Sequence, residues 1–524
     1  MKSSRPTIES LRQAWGRDVA RERDMATIAL YEEFVAGRSQ SVDEQTWQDL
    51  GMDQVFAAID RTTSMPGRQM LYARMRREEV DPVTLSERAR QYAAFRQDAK
   101  SREEIQLQLS RLDQPGAQFL GPFLVGRSPV VPPLSWIFYI LGAIPLACLI
   151  GMLWIKALFL AVILAVLVNT VVYLTYGQKI ARYFAGFAQI DVMLGVAAAL
   201  SKSADPHQLP ELRILREETP ARKRVQRGMG WLVIDRTSMP ELMQGAFLYL
   251  NMFFLLDVVV FLRSRRALEE ERGPLGRIFE SIGALDVAIA VASFLESQAV
   301  CCIPTFAEDH SLRVVDLIHP SIPGAVPNSV QLEGRSAAIA GPNMAGKTTF
   351  IRAVGINLLL GQTLNFCLAR EAVFPRAKVR SSIRREDDLA EGESYFFTEI
   401  KRVLEFVNSS PDARFVFLLD EIFRGTNTQE RIACSVAVLG HLARSQTVLV
   451  TTHDAELQEL LKARFDMFHF SDQVVAEKYG FDYRIRPGPA HSRNAIKLLA
   501  LSGYPASIVS EALAVADRLK PPSG

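Results

Sequence analysis

The chain has 524 residues, room for three or four domains at roughly 150 residues each and for a sizeable core. Lys and Arg number 60 against 58 Asp and Glu, so the net charge is +2 and no global basic bias marks a nucleic-acid binder; any basic patch has to be local. A hydrophobic share of 48% and a charged share of 23% exclude a disordered, collagenous or disulfide-scaffold chain. The five cysteines (Cys148, Cys301, Cys302, Cys367, Cys434) are odd in number and lack metal-ligand spacing, which fits reduced thiols facing a cytosol. The adjacent pair Cys301-Cys302 reads as a buried strand or helix element, not a redox site.

The first 25 residues carry charges throughout and have no apolar core of a secretory leader, so secretion is not expected. Residues 5–127 read as helical, with apolar positions recurring at three- and four-residue spacing between charges. Between Ser128 and Gln178 the only charged residue is Lys156, which splits two apolar segments, Leu134–Trp154 and Ala157–Tyr176. Each is about 20 residues, the length at which a helix covers ~30 Å of hydrocarbon. Neither has a polar face, and Trp136, Tyr139, Trp154, Tyr173 and Tyr176 lie toward segment ends, as interfacial aromatics do. The pattern predicts a two-helix transmembrane hairpin within residues 131–177. Flanking Arg111, Arg127, Lys179 and Arg182 outweigh Lys156 in the turn, which places both termini and the bulk of the chain in the cytoplasm.

A third apolar run, Gly245–Leu262, contains Asn251 and Asp257, and an Asp at mid-bilayer is costly; a buried soluble helix is expected there. Before it, Arg213–Arg227 holds six basic residues against two acidic ones, a local candidate for phosphate contacts whose blander reading is a solvated face. From about Leu312 short β-rich runs alternate with helical ones, which predicts an α/β domain with a largely parallel sheet.

Three motifs in that domain carry chemistry. Gly341-Pro342-Asn343-Met344-Ala345-Gly346-Lys347-Thr348, followed by Thr349, satisfies G-x-x-x-x-G-K-[ST] between an apolar strand and a helix. Its glycines let backbone N–H groups curl toward phosphate oxygens, Lys347 neutralises the β- and γ-phosphates of ATP, and the Thr348 hydroxyl ligates Mg²⁺. The run Phe415–Asp420 ends in Asp420-Glu421: Asp420 is placed to hold the metal, Glu421 to orient or deprotonate an attacking water. TVLVTTHD then puts His453 at the end of another apolar strand, in reach of the γ-phosphate at the carboxyl edge of the sheet.

These segments, together with DDLAEGESYFFTEIKR, LLDEIFRGTNTQE and YRIRPGPAHSRNAIKLLALSGYPASIVSEAL, resemble the MutS ATPases of the wider ABC-type class over about residues 318–515. A weaker echo, DRTTSMPGRQMLYARM (60–75), looks like the start of that family's helical core. The resemblance implies a homodimer with composite ATP sites. Asp387–Phe397 would be the signature segment offered across the interface, with Ser394 and Gly392 reaching the partner's nucleotide. Gly425-Thr426-Asn427 would contact the opposing subunit, and Asn343 matches the family's phosphate-loop asparagine. Val326 and Tyr483 are candidates for the adenine by position, and His319-Pro320 resembles the family's His-Pro pair.

The resulting expectation is an α/β P-loop ATPase domain of ABC/MutS type plus an all-α core domain interrupted by the hairpin. Its divisions are an N-terminal helical segment (1–44), helical core (45–130 and 178–312) and ATPase with a C-terminal helical dimerisation region (313–524). The residues before the core echo leave no room for a mismatch-reading domain, so mismatch recognition is not expected. The leading function is a membrane-anchored MutS-like ATPase of a bacterial inner membrane, using ATP and Mg²⁺ to drive conformational change on a DNA or protein client. The alternative is an ATP-gated membrane scaffold that binds no nucleic acid. A transporter half fits poorly, because two spans per subunit offer little wall for a path and no charges line one.

Overall fold

The structure, a computed structural model, describes residues 6–35, 41–78, 81–126, 135–220, 241–259, 262, 269–383, 395–410, 412–475, 478–489, 496, 499 and 503–518. It divides into two compact units, one of residues 1–40, 59–76 and 90–297, the other of residues 41–58, 77–89 and 298–524. The boundaries differ from those expected from sequence. Residues 45–58, 77–89 and 298–312, read as helical core, belong with the nucleotide-motif unit. The reason is a set of long-range polar contacts that no local pattern announces. The buried Asp49 carboxylate accepts from Ser381 Oγ at 2.7 Å and Ile383 N at 2.9 Å, and Arg402 donates to Asp43 at 2.6 Å. Lys378 pairs with Glu78 at 3.2 Å, and Asn365 donates to Leu85 O at 2.8 Å.

The first unit is helical. Its centre is the 25-residue helix Arg272–Glu296, which is exposed at Arg277 and Glu280 near its start and buried at every position from Ser281 to Leu295, where its residues are apolar apart from Ser281, Asp286 and Ser293. The echo segment docks on it: Asp286 accepts from Thr63 N at 2.9 Å and Ser64 N at 2.8 Å, and so holds the start of the helix Met65–Met75. Gly67 is required there, since a Cβ would lie 2.1 Å from Asp286 Oδ2. Burial raises the Asp286 carboxyl above its usual range against the pull of these hydrogen bonds.

The two apolar segments form helices Ile137–Gly151 and Leu158–Val172 joined by a short turn. Each is 15 residues, shorter than expected, and the second does not stop at Tyr176: a π-helical turn, Tyr173–Gly177, carries it into Gln178–Leu200. The stretch Leu158–Thr175 has a mean hydropathy of 2.5 and is only 11% buried, the opposite of the central core helix. The third run is not the single buried helix expected: a helix Glu241–Phe254 ends at Leu255, whose φ is +49°, and Leu248, Tyr249 and Leu250 are exposed.

The second unit contains two sheets. Strands β1 (Thr305–Ala307), β2 (Leu312–Leu317), β3 (Asn328–Leu332) and β5 (Glu371–Pro375) form one, in the order β1-β5-β2-β3. The other is built from β4 (Ser336–Ala340), β6 (Lys378–Ser382), β7 (Phe415–Asp420), β8 (Thr447–Thr452), β9 (Phe465–Val475) and β10 (Lys478–Pro487), in the order β10-β9-β4-β8-β7-β6. β9, β4, β8, β7 and β6 run parallel and β10 antiparallel, matching the largely parallel sheet read from the alternation. β4 and β8 are buried at every position, the signature of parallel strands covered on both faces. The pair Cys301-Cys302 is not a regular element of its own: Cys302 forms an isolated antiparallel bridge with Cys367, its N–H on Cys367 O at 2.9 Å.

Candidate functional site

Parallel alignment brings the carboxyl ends of β4, β8 and β7 side by side, with Ala340 opposite Thr452 and Asp420 opposite Thr451. All three motifs therefore leave the sheet at one edge, where open α/β sheets bind ligands.

The phosphate loop leaves β4 through three left-handed residues, Gly341 (φ +142°), Met344 (+68°) and Gly346 (+105°), and enters the helix Lys347–Leu364. A side chain at Gly341 would place its Cβ 2.6 Å from Phe470 O, so glycine is needed for space as well as for φ. The 18-residue helix directs its free N–H groups and positive dipole end into the loop. Lys347 is buried; its ammonium donates to Gly341 O at 2.7 Å and Pro342 O at 3.0 Å, curling the loop around itself. Burial lowers the Lys347 pKa to about 8, with Arg424 adding to the effect and Asp420 opposing it. A phosphate in the loop would restore the charge by supplying the anion that burial withholds.

Thr348 Oγ1 lies 3.0 Å from both Asp420 carboxylate oxygens. Thr451 donates to the same carboxylate. Hydroxyl and carboxylate oxygens so close together fit a hard cation such as Mg²⁺. Among the described residues no group of three or more His, Cys, Asp or Glu could hold a metal by itself, so an ion here would complete its shell with phosphate oxygens and water.

Glu421 follows immediately with φ +52°, and Phe423 has φ +62°. Two left-handed non-glycine residues turn the chain sharply, at a cost of order 1 kcal/mol each, and aim the Glu421 carboxylate back toward the loop. It sits 3.3 Å from Lys347 Nζ and 3.0 Å from His453 Nδ1, and forms an ion pair with Arg424. His453 Nε2 is 3.7 Å from Asp454, itself held by Arg431 at 2.9 Å. Burial lowers the His453 pKa against the opposing charge of Asp454, and Arg424, Arg431 and Lys347 push the same way as burial, which favours the neutral ring beside Glu421.

These groups border a cavity of about 1190 Å³ lined by Lys347, Thr348, Asp420, Glu421 and Arg424, with Val326 and Tyr483 on its wall. The sequence-predicted phosphate and carboxylate residues are thus brought together, as are both residues picked by position for the adenine. Asn343 and Met344 are exposed on the loop, Ala345 is buried beneath it, and Thr349 is exposed in the first turn of the helix. His453 is not among the lining residues and reaches the cavity through Glu421. Thr426 and Asn427 are used locally: Asn427 caps the helix Thr428–Leu442 by accepting from Glu430 N at 3.0 Å, and Thr426 donates to Glu430 at 2.7 Å. Gly392 and Ser394 lie outside the described residues, as does the part of Arg213–Arg227 beyond residue 220.

Sequence reasoning missed five participants. Arg424 puts a cation beside Glu421; its signal was a basic residue three positions past the acid. Asn328 ties the wall together, donating to Val326 O at 3.1 Å and Tyr483 O at 3.0 Å and accepting from Ile485 N at 2.7 Å. Gln48, Asp49 and Gln54 line the cavity from a segment some 300 residues away in sequence, which no motif could have signalled.

His319 also lines the cavity, accepting from Ser321 N at 3.2 Å. Burial, reinforced by the charge of Arg352, lowers its pKa from 6.5 to about 4. The neutral ring is the form the fold favours, so this contribution is complete above pH 6.5 and is lost as pH falls toward 4. Urea unfolding of His319→Gln and the unsubstituted protein checks this. Between pH 7 and pH 5 the latter loses about 2 kcal/mol more stability than the variant; parallel losses would show that His319 is not the group responsible.

Residues 337–520 match the family model MutS domain V. The chain is 30% identical over 284 residues to the DNA mismatch repair protein MutS of Microcystis aeruginosa, covering 51% of this chain and 32% of that protein. It is 31% identical over 279 residues to the same-named protein of Synechococcus elongatus, covering 50% and 31%. Against that of Thermus aquaticus it is 31% identical over 261 residues, covering 49% and 32%. The aligned part thus spans about a third of the length of these relatives. Residues 337–520 are thus similar to MutS domain V, and about half of this chain aligns with MutS proteins.

Proposed function

We propose that the protein is an ATP hydrolase, held at a membrane by residues 134–176, that works as a homodimer and couples its nucleotide cycle to a DNA or protein client. The observation that carries the proposal is the convergence of Lys347, Thr348, Asp420 and Glu421 at one edge of a parallel sheet, around a cavity whose wall holds Val326 and Tyr483. That arrangement has a phosphate end and a less polar end, as ATP does.

Loop N–H groups and Lys347 bind the phosphates. Thr348 and Asp420 would hold Mg²⁺, which when bound draws charge from the β- and γ-phosphate oxygens. Glu421 takes the proton of a water aligned on the γ-phosphate, with neutral His453 orienting the carboxylate through its 3.0 Å contact. Arg424, beside Glu421, is placed to meet charge developing on the transferred phosphoryl group. A homodimer is supported by the family likeness and by the exposed apolar side chains of Ile508, Leu513 and Val515 on the helix Ala506–Arg518. Membrane anchoring is supported by the apolar, little-buried stretch Leu158–Thr175.

The near-zero net charge gives DNA no general electrostatic advantage over a protein client. Phosphate release by the full chain, measured with and without duplex, branched and single-stranded DNA at low salt, tests both parts. Magnesium-dependent turnover is expected, and its absence would overturn the enzyme assignment. Stimulation by DNA together with salt-sensitive binding identifies DNA as client; turnover without either favours the scaffold.

A further inference from the structure

Helices Ile137–Gly151 and Leu158–Val172 share a polar knot with residues 241–259, which hold most of the third apolar run. Pro145 has no N–H, so Leu141 O, its partner in an uninterrupted helix, is left without that donor. The break at Leu255 does the same to Phe253 O, because the N–H of Asp257 turns away to Asn251 Oδ1 at 2.8 Å. One side chain serves both carbonyls: Asn169 Nδ2 donates to Leu141 O at 3.0 Å and to Phe253 O at 2.7 Å. The Asn251 amide in turn donates to the Asp257 carboxylate, and Asn169, Asn251 and Asp257 are all buried. Gly142 lets the break approach, since a Cβ there would stand 2.6 Å from Phe254 O.

The outer surface is of the opposite character. Met243, Leu248, Tyr249 and Leu250 are 54%, 42%, 67% and 46% exposed, beside an exposed apolar hairpin surface that includes Leu160 and Leu164. From Leu242 to Leu262 the only charged residue is Asp257, which is inside the knot, and Arg263, Arg265 and Arg266 follow directly in sequence. An element facing water would let solvent satisfy its broken carbonyls and would carry polar groups outward. Here interrupted helices close their backbone groups on one another and turn apolar side chains outward, as hydrocarbon demands.

We infer that residues 241–259 are a third membrane-embedded element, a broken helix seated on the hairpin with Met243, Leu248, Tyr249 and Leu250 against lipid acyl chains. The inference rests on the membrane reading of the hairpin. It reverses the expectation that Asp257 keeps this run out of the bilayer: the cost of the acid falls because the Asn251 amide donates to its carboxylate, while Asn251 Oδ1 accepts from the Asp257 backbone N–H.

The test uses the full chain in vesicles of phosphatidylethanolamine and phosphatidylglycerol with tritiated acyl chains. The photo-cross-linker p-benzoylphenylalanine replaces one residue at a time: Tyr249, Met243, Leu164 in the hairpin, or Arg313 on β2 as a control. Lipid labelling at 249 and 243 is expected to match that at 164 and to exceed that at 313 severalfold. Labelling at 164 without labelling at 249 and 243 overturns this inference and leaves the hairpin reading standing; adducts there to a second copy of the chain would identify what covers the face instead. Absence of labelling at 164 overturns the hairpin reading, and the inference with it.

Discussion

Glu421→Gln binds ATP with nearly unchanged affinity and hydrolyses it roughly 10²- to 10⁴-fold more slowly, the range for loss of a positioned general base. The amide keeps the size and reach of the carboxylate and cannot take the proton. Its effect on binding is small because phosphate contacts come from the loop and Lys347, while Glu421 faces the phosphate end of the cavity from β7. Replacing an acid that lies 3.3 Å from Lys347 also removes a competitor for the ammonium, so ATP affinity rises slightly if it moves at all. Single-turnover hydrolysis and equilibrium binding of a fluorescent ATP analogue separate the two effects. Hydrolysis within a fewfold of the unsubstituted rate would assign the base elsewhere. The same variant held in ATP is the best bait for the client we propose, because an ATP-bound protein that does not turn over retains what it acts on.

Lys347→Ala loses ATP binding by about 3 kcal/mol, roughly a hundredfold in Kd, the scale of a buried charge-assisted contact. Two losses combine. The ammonium that meets the phosphates is gone, and so are its bonds to Gly341 O and Pro342 O, which hold the loop curled. Glu421 keeps Arg424 and His453 as partners, so the fold is expected to survive. Isothermal titration gives the affinity and thermal unfolding the control. A folded variant that binds ATP as before would place the phosphates outside this loop.

The two substitutions differ in the step they remove, and the difference follows from where the residues sit. Lys347 begins the helix after β4, and Glu421 follows β7, with β8 between the two strands. Sheet order sets their separation, and the shared edge lets one ligand touch both.

Much of the nucleotide site was legible in the sequence because its chemistry is local. Eight consecutive residues specify the loop: glycines where φ is positive or a backbone passes close, a lysine at the first helical position, and a hydroxyl after it. Apolar runs ending in Asp420-Glu421 and Thr452-His453 specified buried parallel strands whose polar ends leave the sheet at one edge. Two uncharged apolar segments likewise marked the pair of helices around Lys156, although capping and continuation, which depend on neighbours, moved their ends.

Tertiary structure alone decided what depends on residues far apart in the chain. Asn328 reaches Tyr483 across a separation of 155 residues, and Asp49 meets Ser381 across 332. Neither partner carries a pattern of its own. Asn251 and Asp257 read as liabilities because their cost was judged without partners; the fold supplies each to the other, and Asn169 to the broken carbonyls beside them. Periodicity and motif report what a residue needs from its immediate neighbours. Satisfaction of a buried polar group is a property of the packed structure, because the partner that cancels its desolvation comes from wherever the fold brings it.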